Sequence, residues 1–239
     1  MLKKDLTGKK VAILVDEGFE QVELIKPRKA LDKAGAQTQV VSLQEGEVRG
    51  WNVKRWAKAV AVDVPLESAD PADFDALLLP GGVMNPDKLR IQPKAVGFVK
   101  HFFDAGKPVA AICHAPWMLV EAGVVDGRTL TSWPSLRTDI RNADGNWVDE
   151  EVVTDMGLVT SRKPDDIRAF NKKMIEEFRE GEHRARYGER KVALLLQHRT
   201  EIVERAFLKA AGHDRSRACI PPQQGFIIPM RPDPFGLFI

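Results

Sequence analysis

Pro108-Val-Ala-Ala-Ile-Cys-His-Ala-Pro116 decides the reading of this chain. Its first five residues form an apolar run that stops on a cysteine. Such a run fits a strand buried on both faces, as in a parallel α/β sheet. A helix is expected directly after it, over Trp117 to Ala122. A thiol at that junction stands at the carboxyl edge of the sheet, where α/β folds present their reactive groups. The strand-turn-helix setting also matches a nucleophile elbow, which holds a Ser or Cys on a tight turn.

The same pattern extends outward in both directions. Lys10 to Val15 reads as a buried strand, followed by a helix over Val22 to Ala34 that Gly35 closes. Pro27 within it requires a first-turn position or a kink. Gln37 to Leu43 reads as a second strand, and Val60 to Asp63 as a short strand after a turn-rich stretch. Ala76 to Leu79 is a further buried strand, stopped by Pro80-Gly81-Gly82. Pro93 to Ala105 is amphipathic at helical spacing, with Val96, Val99 and Phe103 among the periodic positions. Shorter strands follow Gly127, including Val152-Val153 and Leu158 to Thr160, with a turn at Ala143 to Asn146. Pro164-Asp165-Asp166 opens a helix reaching about Arg179. Strand-helix alternation implies an α/β domain with a mostly parallel central sheet between helical layers. Residues 1–181 form that domain in this reading. Residues 182–239 form an extension, charged and helix-favouring to 212 and then Pro-rich, with an apolar tail.

Composition narrows the function. Among 239 residues, 44% are hydrophobic, enough for a full core, and 36 basic against 34 acidic residues leave a net charge of +2. That balance argues against a nucleic-acid partner, which selects for a basic face. Two cysteines, Cys113 and Cys219, cannot build a secreted disulfide framework. The apolar run Val11 to Val15 is too short for a signal-peptide core, and no stretch approaches a membrane span. The expectation is a soluble, cytoplasmic protein with no membrane partner. The fingerprints of P-loops, dinucleotide folds, zinc proteases and EF-hands are missing.

Several residues could carry chemistry. The start of a helix favours thiolate over thiol, so Cys113 is expected to titrate below an ordinary thiol if it is a nucleophile. An inert buried cysteine is the competing reading, since free Cys is among the most buried residue types. His114 is a base or proton shuttle, or a packing residue. His101, His183, His198 and His213 read as surface residues. Glu17, Glu20 and Glu23 cluster after the first strand, where acidic residues also simply favour a helix start. Glu23 differs, because it lies inside Val22-Glu23-Leu24-Ile25; burial there would keep it protonated and able to donate a hydrogen bond. Gly81 and Gly82 let backbone N–H groups approach a substrate oxygen, or form an ordinary turn.

Taken together, Gly18-Phe-Glu-Gln-Val-Glu-Leu24, Leu79-Pro-Gly-Gly82, Ala110-Ala-Ile-Cys-His-Ala-Pro116 and Thr131-Ser-Trp-Pro-Ser135 closely resemble the PfpI family of intracellular cysteine peptidases and deglycases. Asn146 to Glu150 and Thr160 to Asp166 extend the likeness, which runs from about Lys9 to Phe178. The resemblance implies a flavodoxin-like three-layer sandwich with Cys113 as nucleophile and His114 beside it. Glu23 matches a carboxyl that hydrogen-bonds the thiolate, Glu20 is a second acid in that loop, and Gly81 and Gly82 match backbone donors. Asp87 falls where some members place a carboxylate that completes a neighbouring subunit's site, so a homodimer or higher homo-oligomer is implied. No metal or organic cofactor is expected. The implied activity is a cysteine-dependent hydrolase or deglycase acting on glyoxal or methylglyoxal adducts, in general stress protection. Peptidase and non-enzymatic chaperone or redox-sensor roles are the alternatives. A glutamine amidotransferase is disfavoured, because the His-x-Glu it needs does not occur. Ala115 stands where the family usually has Gly, which would cost about 1 kcal/mol if the turn required positive φ there. The extension has no counterpart in the family.

Overall fold

A computed structural model describes residues 6–183. The helix and tail expected beyond them, with Cys219, His198 and His213, lie outside the described residues. The chain opens with β1 (Lys10–Val15), α1 (Gln21–Ala34) and β2 (Gln37–Ser42), followed by β3 (Glu47–Asn52), β4 (Arg55–Ala61) and β5 (Val64–Pro65). It continues through β6 (Ala76–Leu79), α2 (Met84–Arg90), α3 (Pro93–Asp104), β7 (Val109–Ile112) and α4 (Pro116–Glu121). The last elements are β8 (Thr129–Leu130), α5 (Arg137–Asn142), β9 (Asn146–Trp147), β10 (Val152–Asp155), β11 (Leu158–Ser161) and α6 (Ile167–Glu180).

Seven strands form the central sheet in the order β10-β11-β7-β6-β1-β2-β5. Every neighbouring pair is parallel except β10 and β11. The period-2 alternation of strand side chains divides the core in two. Ala12, Leu14, Leu77, Leu79, Val109 and Ala111 face one helical layer, with Phe98, Phe102 and Leu119. Val11, Ile13, Leu78, Ala110, Ile112 and Val159 face the other, with Leu24, Leu31, Phe170 and Phe178. This is the three-layer α/β sandwich, and its strands read as continuous apolar runs because both faces are covered. Each fully buried Phe or Leu contributes about 1.5–3 kcal/mol of burial free energy.

Local differences from the sequence expectations have physical causes. The turn-rich stretch after β2 is an antiparallel hairpin, β3–β4, outside the main sheet. Of the strand expected over Val60–Asp63, Val60 and Ala61 end β4, while Val62 and Asp63 lie between β4 and β5, with Val62 N–H donating to Gly46 O. Pro27 lies inside α1 beyond its first turn and is buried. Having no N–H, it cannot donate to the carbonyl of Glu23 four residues earlier. His183 is not a surface residue: its side chain is 8% exposed. No helix among the described residues is long and apolar enough to cross a membrane.

Candidate active site

The chain runs from β1 to β2 on one side, then crosses to β6 on the other side of β1. Strand order therefore reverses at β1, and a crevice opens at the carboxyl ends of the strands there. The loops after β1, β6 and β7 meet in it.

Cys113 closes β7 with φ of 64°, left-handed backbone that costs a non-glycine residue about 1–2 kcal/mol. Hydrogen bonds on both sides hold the strain. Its N–H donates to Ser161 O at 3.0 Å, and its carbonyl accepts from Trp133 N–H at 2.8 Å. Ala115, by contrast, has φ of −55° and begins the approach to α4, so replacing glycine there carries no backbone penalty. The strained residue of the elbow is the cysteine.

Glu23 enters from the first turn of α1 and is fully buried. Gly81 N–H donates to its Oε2 at 2.9 Å, while Oε1 has no hydrogen-bond partner and the carboxyl faces the Cys113 thiol. Burial, reinforced by the nearby Glu20 charge, pushes the Glu23 carboxyl up to about 8 against the pull of the Gly81 N–H. It is therefore protonated at neutral pH. Burial also holds Glu20 above the usual carboxylate range at the mouth of the crevice.

The thiol departs from the sequence expectation. Burial pushes Cys113 up rather than down, and an ionised Glu23 beside it adds to the effect. The backbone N–H groups of Gly82 and His114 oppose this by stabilising a thiolate. The helix start is too weak to reverse the balance: α4 begins three residues later with a proline, which has no N–H to offer, and is six residues long. Glu23 and Cys113 thus titrate as a pair. The first proton leaves the pair near the Glu23 value. A carboxylate beside a thiol, or a carboxylic acid beside a thiolate, then remains.

His114 Nδ1 lies 3.2 Å from Cys113 Sγ, and Nε2 lies 3.5 Å from Ser135 Oγ. The ring stacks on Trp133 with centroids 5.6 Å apart and planes at 23°, and Trp117 lies at the same centroid distance. Burial lowers the imidazole to about 4, so it is neutral at pH 7.

Gly81 does not offer the free donor expected of it, because its N–H is engaged by Glu23. Its role is steric. A Cβ there would sit 2.6 Å from Ile112 O and 2.7 Å from both Cys113 Cβ and Glu23 Oε2. Gly82, with φ of 79°, keeps the free N–H aimed at the thiol. Asp87 lies in the first turn of α2, is exposed and does not line the crevice. Glu17 is likewise outside it, accepting from Arg49 N–H at 3.2 Å.

Sequence reasoning missed several supports. Buried Asn85 donates to Pro80 O at 2.8 Å and accepts from Asp16 N–H at 2.7 Å, tying the β6 loop to the β1 loop. Trp51, on the hairpin, donates its N–H to Phe19 O and forms one wall of the crevice. No local pattern announces either. Trp133 and Ser135 stand inside a quoted motif, and only the fold reveals their contact with His114. The crevice encloses about 390 Å³. Two carboxyl groups, one neutral imidazole and two tryptophans line it, with no lysine or arginine.

Known proteins resemble this chain along the whole length of the domain. The chain is 42% identical over 167 residues to the deglycase TK1284 of Thermococcus kodakarensis, covering 70% of this chain and 98% of that one. It is 40% identical over 169 residues to the putative cysteine protease YraA of Bacillus subtilis, covering 70% and 97%. Among solved structures, Drosophila melanogaster DJ-1beta superposes with a TM-score of 0.65 at 29% identity, over 78% of this chain and 97% of that one. The family model that matches, over residues 9–177, takes in every crevice residue from Gly18 to Pro164, and on that match the chain belongs to the DJ-1/PfpI family.

Proposed function

We propose that the protein is a cysteine-dependent deglycase that hydrolyses adducts of glyoxal or methylglyoxal. The observation that carries this reading is the meeting of a strained Cys113, a protonated Glu23 and a neutral His114 in one crevice. The Glu23–Cys113 pair gives up one proton, leaving the thiolate beside a protonated Glu23, and Sγ attacks the carbinol carbon of the adduct, displacing the amine, which leaves with a proton from Glu23. The resulting thiohemiacetal loses a proton from that carbon and gains one at the neighbouring carbonyl carbon, giving a thioester of a hydroxy acid. Water cleaves the thioester and regenerates the thiol. The sum is adduct plus water to amine plus hydroxy acid, with no external oxidant or reductant. Glu23, titrating near neutrality, suits the proton transfers, since a catalytic acid or base works best near the operating pH. Gly82 and His114 N–H groups stabilise negative charge as it develops at the site. The deglycase name of a relative 42% identical supports the substrate class.

The name of the YraA relative supports a peptidase as the second reading. It uses the same thiol on an amide carbon. Wild type and Cys113→Ala, assayed side by side for methylglyoxal-adduct hydrolysis, casein cleavage and suppression of aggregation, separate the readings. Adduct hydrolysis lost in the variant, with no casein cleavage in either protein, is expected. Unchanged adduct hydrolysis in Cys113→Ala overturns the proposal.

Two further elements belong to it. Residues 1–181 fold as one domain, so truncation after Gly181 leaves a soluble protein that unfolds cooperatively. Asp87, exposed outside the crevice, acts only if a second copy brings it to a neighbouring site. Sedimentation showing a fully active monomer refutes that role.

A further inference from the structure

Far from the crevice, α6 ends in Glu177-Phe-Arg-Glu180, and Gly181-Glu-His183 follows. The helix and the turn after it bring Glu177, Glu180 and His183 to one spot, with one donor atom of each within 4.8 Å of the others. His183 is placed by its own backbone: its N–H donates to Gly106 O at 2.8 Å. Its ring has room because residue 157 is glycine. A Cβ there would come within 2.7 Å of His183 Cδ2.

The ring nitrogen is the telling atom. The His183 side chain is 8% exposed, its Nε2 makes no hydrogen bond, and that atom points at Glu177 Oε2, 3.4 Å away. A buried polar atom without a partner is costly, and native structures rarely leave one without a reason. The separation has a specific meaning. Two ligands of a tetrahedral ion, bound at about 2.0–2.1 Å, stand about 3.3 Å apart. Nε2 and Oε2 are already at that spacing. Glu180 is exposed, so its carboxylate can close on the same point by rotamer change alone.

We propose that Glu177, Glu180 and His183 form a binding site for a divalent first-row metal ion, with zinc as the best match. One imidazole and two carboxylates suit zinc and its neighbours better than calcium or magnesium, which take oxygen alone. Two carboxylates balance the charge of the ion, and three protein ligands leave a position for water. The ion ties His183, beyond the helix end, back to Glu177 and Glu180 of α6. The role is structural and independent of the thiol chemistry.

The test uses the full chain in a Cys113→Ser background, which removes the crevice thiol as a competing ligand. After chelator treatment, zinc chloride is titrated calorimetrically and thermal unfolding is followed with and without it. Cobalt(II) serves as the spectroscopic probe. One zinc equivalent binding at micromolar or lower Kd, with a raised Tm and visible cobalt absorption, is expected. Glu180→Gln, an exposed substitution that leaves packing intact, and His183→Gln should each weaken binding at least tenfold and abolish the Tm shift. Zinc binding unchanged in both variants places the ion elsewhere and overturns the site. Absence of any zinc-dependent Tm shift reduces the cluster to a plain His183–Glu177 contact and overturns it too.

Discussion

Glu23→Gln should make the protein more stable at neutral pH, and the gain should vanish in acid. Glu23 is raised from an ordinary value of 4.5 to about 8, chiefly by burial. Between those two values the folded state holds one more proton than the unfolded chain, so stability falls as pH rises. The slope is about 1.36 kcal/mol per pH unit, and the full window is worth about 5 kcal/mol. At pH 7.5 the wild type has lost about 4 kcal/mol of it. Gln is isosteric and carries no titrating proton, and its Oε1 can still accept from Gly81 N–H. The variant should therefore exceed the wild type by several kcal/mol at pH 7.5 and match it near pH 4.5. Urea unfolding of both proteins across that range is the assay. Other groups titrate there as well. His114, lowered to about 4 from 6.5, contributes a slope of opposite sign between those values. Taking the difference between variant and wild type at each pH cancels it. The outcome does not depend on how the remaining charge is shared between Glu23 and Cys113, since only the proton count of the pair enters. Parallel curves for the two proteins would refute the burial-driven shift.

Iodoacetamide alkylation of Cys113 should rise with an inflection near the Glu23 value of about 8, and Glu23→Gln should move that inflection upward; mass spectrometry of the Cys113 peptide at each pH checks it, and an unmoved inflection removes the shared-proton account. Gly81→Ala forces contacts of 2.6 Å and 2.7 Å on Ile112 O, Cys113 Cβ and Glu23 Oε2, so it should cost about 1–3 kcal/mol of stability and abolish activity, as read by urea unfolding and turnover. At Cys113, with φ of 64°, glycine should be more stable than alanine by about 1 kcal/mol, and equal Tm values for Cys113→Gly and Cys113→Ala would remove the strained elbow.

How far the sequence can be read depends on which physical signal each element leaves. β1, β6 and β7 are buried on both faces, so their apolar runs are unmistakable. β3 buries only Val48 and Gly50 and β4 buries nothing, so neither leaves an apolar run, and Trp51 meets Trp56 across the hairpin. α2 is seven residues long with Pro86 near its start, too short for a period to register. Glu23 is conspicuous as a carboxyl inside an apolar run. Which N–H it engages is not, because the direction of a backbone N–H depends on dihedral angles that residue identity does not reveal. That is why Gly81 turned out to serve the carboxyl while Gly82 serves the thiol. The sign of the thiol shift was hidden for a related reason: a helix start is visible in sequence, whereas depth of burial belongs to the assembled layers.

The hairpin that carries Trp51 has a further consequence. It joins the loop after β1 through Trp51 N–H to Phe19 O and Gly18 N–H to Arg49 O, and none of its strands pairs with the central sheet. Cys113 and His114, by contrast, follow directly on the inner strand β7, and Glu23 stands on the helix that follows β1. One side of the crevice is thus an appendage and the other is foundation. Lengthening or reshaping the appendage leaves the register of every sheet strand untouched. Descendants of such a chain can change what the crevice admits while inheriting the thiol and its carboxyl partner unaltered, so substrate range and reaction chemistry are free to evolve apart.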